Sequence, residues 1–174
     1  MSREAGNQTI RRDAEPSGRS GDLPSLGSTL IVGYGNDLRS DDGAGVIVAR
    51  KVAVLWPQAR VIVVHQLTPE LAEDIAMAGK VIFVDAFVAH AREEALRIEK
   101  MVEHADVESS VVEHRVLPWT LVNLARRLYG SPTEAWVLGV PAYCLDAGEF
   151  LSPETMCRID EAVALIGGQA CPEK

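Results

Sequence analysis

The sequence predicts an α/β domain: a three-layer α/β/α sandwich around a mostly parallel, twisted sheet of about five strands. Apolar runs of strand length alternate along the chain with amphipathic runs of helix length, the pattern that strand–helix–strand crossovers require. Hydrophobic residues make up 47% of the chain and aromatic residues only 5%, a balance dominated by Val, Ala, Leu and Ile that suits parallel strands buried on both faces. Capping residues and glycines stand where those runs begin and end.

Residues 1–28 are rich in Gly, Ser and Pro and carry four basic and four acidic residues. With almost nothing apolar to bury, they are expected to form a disordered tail, leaving residues 29–174 as one domain.

In the domain, "TLIVGY" (Thr29 to Tyr34) reads as a buried first strand, and "GAGVIVARKVAVLW" as the helix after it. "RVIVVHQ" is a second strand. Thr68 then stands as helix cap with Pro69 at the first helical position, and Leu71, Ile75 and Ala78 line one face before Gly79 stops the helix. "KVIFVDA" follows as a third strand, and "EALRIEKMV" alternates weakly enough for a further one. Leu117, Leu121, Leu124 and Leu128 recur at helical spacing behind Pro118, closed by Gly130. "EAWVLGV" is the last strand. In the last helix Ser152 is the cap, Pro153 fills the first turn, and Met156, Ile159, Val163 and Ile166 point inward. Right-handed crossovers between such elements set the ligand cleft beyond the carboxyl ends of the strands.

Composition narrows the function. A formal net charge of -8 repels nucleic acid and anionic membrane surfaces and favours a cationic or metal-bearing partner. Cys144, Cys157 and Cys171 are far apart without a C-x-x-C pair, so reduced thiols are expected rather than a disulfide framework or zinc knuckle. No apolar run approaches the roughly 18 residues of a spanning helix. Arg11-Arg12 is followed by polar "DAEPSGRSGD" instead of the apolar core of an export signal. The expectation is a cytoplasmic monomer.

"VGYGNDLRSDDGAG" (Val32 to Gly45) lies at the carboxyl end of the first strand. A dinucleotide fingerprint needs G-x-G-x-x-G, and Leu38 occupies the third glycine's place; a P-loop needs Gly-Lys-Ser/Thr, which is missing. Asp37, Asp41 and Asp42 would repel a pyrophosphate by several kcal/mol at an effective dielectric of about 20. The acids suit a cation, although Asp41 and Asp42 could equally cap the following helix. Asp85 ends an apolar strand, where a lone charge must face the cleft or a partner. His65, His90 and His104 read as bland, whereas His114 precedes a helix and a loop there can aim it at the cleft. Asp42, Asp85 and His114 come from three separate segments and make a carboxylate, carboxylate and imidazole set suited to nickel or zinc with positions left open.

The stretch "GYGNDLRSDDGAGV" resembles the G-x-G-N-x-L-x-x-D-D-G-x-G signature of the hydrogenase maturation proteases. The likeness extends through the Asp85 strand, "HRVLPWTLVNLARRLYG" and "GVPAYCLDAGEFLSP", and covers residues 29 to about 167. Ala142-Tyr143 stand where many relatives have Pro-Glu, with Asp146 nearby, and Asp37 and Arg39 replace residues that are often apolar or small.

The resemblance implies that Asp42, Asp85 and His114 are the metal-contacting and catalytic residues. It implies that the nickel is supplied by the substrate, a nickel-loaded precursor of a nickel-iron hydrogenase large subunit, with no tightly bound cofactor of the enzyme's own. The activity implied is removal of a short C-terminal peptide. Two other classes remain in view. A receiver-like phospho-acceptor domain would share the acid pair and the strand-ending Asp but needs a Lys after the last strand, which "EAWVLGVPAY" lacks. A non-catalytic nickel chaperone would use the same ligands without trimming anything.

Overall fold

The computed structural model describes residues 29–101 and 116–168; the expected tail, residues 1–28, lies outside them, as does His114. Strand β1 (Thr29–Tyr34) is buried along all but its last residue, because it has a parallel neighbour on each side. It pairs with β2 (Arg60–Val64) on one edge and with β3 (Lys80–Val88) on the other. Strand β5 (Glu134–Ala142) continues the sheet in parallel beside β3, and the short β4 (Arg97–Lys100) closes it antiparallel to β5. The order is β2-β1-β3-β5-β4. The expected mostly parallel sheet of five strands is therefore found, with its weakest strand as the antiparallel edge.

Alternation along the strands divides the core into two layers. Ile31, Ile82, Val84 and Leu138 face helices α1 (Ala44–Leu55) and α4 (Pro153–Gly168). Leu30, Val32, Val81 and Phe83 face α2 (Leu71–Ala78) and α3 (Pro118–Tyr129). Each fully buried Leu, Ile, Val or Phe contributes about 2 kcal/mol of transfer free energy, so these two layers hold the strand ends that carry the site. Among the described residues no helix is long and apolar enough to cross a membrane.

Several local readings need correction. Thr68 does not cap α2: that helix starts after Glu70, which makes no side-chain cap. The turn before it closes through Leu71 N–H to Thr68 O and Ala72 N–H to Pro69 O, so Pro69 lies in the lead-in turn. On α3 the buried face is Leu121, Val122 and Ala125, while Leu117 and Leu128 are exposed. On α4 Met156 is exposed and Thr155 takes the inward place, its hydroxyl donating to Pro141 O at 3.0 Å. A polar residue is tolerated there because that bond replaces water. Ser152 does cap α4, accepting the Thr155 amide at 3.2 Å, and Gly79 and Gly130 end their helices with positive φ.

Candidate functional site

The loop after β1 turns back over the strand ends. Gly35 adopts φ +140, and a Cβ there would stand 2.1 Å from the carbonyl oxygen of Asp42, so only glycine permits this approach. Asn36 accepts the Leu38 amide on its side chain at 3.0 Å and the Arg39 amide on its carbonyl at 3.0 Å. Ser40 then takes a positive φ of 49, a strained conformation for a residue with a side chain. It is held there by Ser40 N–H to Gly148 O at 2.7 Å and by its hydroxyl on Asp146 O at 3.0 Å. A 3-10 turn, Ser40–Gly43, leads into α1. Gly45, at the start of α1, could not carry a Cβ either, since one would meet Val84 O at 2.3 Å and Tyr34 O at 2.6 Å.

The two adjacent acids of this turn part company. Asp41 is fully buried and accepts the amides of Tyr143 and Cys144 at 2.8 Å each, together with the amide and hydroxyl of Ser152 at 2.7 Å each. Burial pushes its pKa up, but the bonds from Ser152, Thr155 and Cys144 outweigh that and hold it below the ordinary value. Asp41 is thus a structural clamp. Asp42, half-buried, faces the cleft.

Asp85 comes from β3, one step beyond the Gly33–Val84 pair of the β1–β3 ladder, and Tyr34 stands one step beyond on β1. The Tyr34 ring packs against the α2–α3 layer, and its hydroxyl lies within reach of the Asp85 carboxylate. Burial, then the charge of Asp85 and hydrogen bonding toward it, raise the Tyr34 pKa well above its ordinary value, so the phenol is a neutral donor at physiological pH. The Ala86 amide donates to Asp85 Oδ1 at 2.8 Å.

These groups wall a cavity of about 270 Å³, lined by Tyr34, Arg39, Asp42, His65, Asp85 and Val116 among others. The structure therefore brings Asp42 and Asp85 to one cleft at the carboxyl edge of the sheet. His114 lies outside the described residues, and Val116, two positions further along, lines the cleft. His65, read from sequence as bland, is part of this wall; only its position at the carboxyl end of a predicted strand could have signalled that. Tyr34 was missed because nothing local links it to Asp85. Among the described residues no three His, Cys, Asp or Glu side chains are grouped closely enough to hold a metal ion. Arg39, whose guanidinium donates to Leu145 O at 3.4 Å, brings a positive charge to the acidic wall.

Neither known family profiles nor curated proteins match this chain. Solved structures do. The hydrogenase maturation protease HybD from Thermococcus kodakarensis is 22% identical with a TM-score of 0.64, covering 82% of this chain and 99% of its own. The fold is that of the nickel-iron hydrogenase maturation proteases. HycI from Thermococcus kodakarensis KOD1, of the same maturation-protease class, is 25% identical with a TM-score of 0.61, covering 81% of this chain and 90% of its own. HybD from E. coli is 22% identical with a TM-score of 0.56, covering 79% and 88%. Within this maturation-protease fold, the loop carrying Asp42 and the β3 end carrying Asp85 form the cleft wall described above.

Proposed function

We propose that this chain is an endopeptidase that removes a C-terminal peptide from the nickel-loaded precursor of a nickel-iron hydrogenase large subunit. The observation that carries the reading is the meeting of Asp42 and Asp85 in one cleft on a maturation-protease fold. Their two carboxylates, with the imidazole of His114 as third donor, make the mixed oxygen and nitrogen set that suits a borderline divalent ion. The ion arrives as part of the substrate.

Two carboxylates and an imidazole leave further positions around such an ion for the precursor's own ligands, so protein and precursor would hold it together. That shared grip fixes the scissile amide beside Asp42 and Asp85, and proximity alone contributes several kcal/mol. Water then adds to the amide carbon. A carboxylate of the pair takes the water's proton, and the departing amine receives one as the C–N bond breaks. The chain has no G-x-S-x-G elbow and no H-E-x-x-H, so serine and zincin routes lack their parts. The net charge of -8 accords with a cytoplasmic protein working on a metal-bearing protein partner, not on nucleic acid or membrane. A monomer is sufficient, because both carboxylates of the cleft come from one chain.

The test is to mix the purified protein with matched nickel-loaded and nickel-free precursors and weigh the products by mass spectrometry. Loss of a C-terminal peptide from the loaded precursor alone is expected. Equal trimming of both would remove the role of nickel, and tight nickel binding with no trimming would favour a chaperone.

A further inference from the structure

We propose that Tyr34 is a positioning residue for Asp85, holding the carboxylate in the one orientation that presents it to the cleft. This rests on the reading of Asp85 as a residue that grips the substrate's metal. The maturation-protease signature leaves the residue between its first two glycines open, and here it is a tyrosine.

An aspartate at the end of a strand turns about two side-chain bonds. The bond from the Ala86 amide to Oδ1, 2.8 Å, comes from the very next residue and restrains it only locally. The Tyr34 hydroxyl, a neutral donor, comes within reach of the carboxylate from a different strand. Tyr34 and Asp85 each stand one step past the last β1–β3 pair, Gly33 with Val84. They also lie on the same side of the sheet, since Val32 and Phe83, two residues before each, both pack in the α2–α3 layer. The Tyr34 ring is itself seated in that layer, so the hydroxyl is delivered by a fixed lever. Both residues line the cavity, so a carboxylate held in this orientation is presented to the substrate. Donors behind a ligand that fix its orientation typically carry a tenfold to hundredfold share of affinity or rate.

The variant Tyr34→Phe keeps the ring and its packing and removes only the hydroxyl. Two measurements on the full chain decide the matter. Three-bond couplings to the Asp85 carboxyl carbon, read by NMR without precursor, should report one side-chain rotamer in the wild type and averaging in Tyr34→Phe. In the trimming assay kcat should fall about tenfold with KM within twofold and the melting temperature nearly unchanged. Identical couplings in the two proteins would overturn the proposal whatever the activity. Averaged couplings with an unchanged kcat would overturn it as well, because the orientation would then serve nothing. If the wild type trims no precursor the protease reading fails, and the couplings still decide whether Tyr34 holds Asp85.

Discussion

Ser152 donates both its backbone amide and its hydroxyl to the carboxylate of Asp41, at 2.7 Å each, across 111 positions of chain. Asp41 returns the connection through its own amide, which donates to Cys144 O at 3.0 Å. The loop bearing Asp42 is therefore stitched to the segment between β5 and α4. Ser152 also caps α4, so one hydroxyl couples the cleft rim to a helix start.

Replacing Asp41 with Asn puts an amide NH2 group where four donors converge. A buried polar group left facing donors costs the full desolvation penalty, and more for a charged network. Asp41→Asn should lose about 3 kcal/mol, seen as a lower urea midpoint at an unchanged slope. A midpoint equal to the wild type would show that the clamp contributes nothing.

The same clamp gives stability a pH dependence. Asp41 in the folded protein titrates below its ordinary value of 3.8, so its contribution is complete above the unfolded value and is lost as pH falls through the folded one. The stability gap between wild type and Asp41→Asn should be constant above about pH 5 and shrink below about pH 4. Chemical denaturation across that range measures it; a gap that widens on acidification would contradict the sign.

Asp42 and Asp85 should behave in the opposite way. Both are half-buried at the cleft, so Asp42→Asn and Asp85→Asn should each reduce trimming more than a hundredfold. Asp42→Asn should change stability by about 0.5 kcal/mol or less. Product mass spectrometry beside a thermal melt separates the two effects.

Gly35→Ala should damage the cleft through the backbone. Its Cβ would sit 2.1 Å from Asp42 O at a φ of +140, so the loop must move and carry Asp42 with it. Trimming should fall more than tenfold. Gly79→Ala is the control: its φ is +73 but nothing lies within 4 Å. It should cost about 1 kcal/mol of backbone strain and leave trimming intact.

The inward face of α4 is testable by truncation. Ile159 is 1% exposed and Met156 53%. Ile159→Ala should lose about 3 kcal/mol and Met156→Ala about 0.5 kcal/mol or less, measured by denaturant unfolding. Equal losses would restore the face predicted from periodicity.

Legibility in the sequence followed the range of the interaction. The Ser152 cap and the positive-φ stops at Gly79 and Gly130 depend on residues within one turn, and each was readable. Thr68 failed because the chain makes a further turn, closed on Thr68 O and Pro69 O, before the helix begins. The face of α3 shifted, while α4 kept Ile159, Val163 and Ile166 inward and turned out only Met156, because spacing gives a period and only the neighbours that a helix meets decide which part of its stripe is covered. Leu128 and Met156 satisfy the period and still face solvent.

By itself the sequence determined the alternation of strands and helices, the domain's layers, and the acid-bearing glycine loop at the end of β1. These follow from local periodicity and from glycines that no other residue can replace. The choice of Asp42 over Asp41 was already in the signature, but only the tertiary structure gave the second acid its work, burying Asp41 beneath Ser152 while Asp42 lines the cleft. It alone set the Tyr34 hydroxyl against Asp85 and brought His65 into the same wall. The reason is physical: where a side chain points at a strand end depends on donors and neighbours supplied by distant segments, and those distances exist only once the sheet has formed.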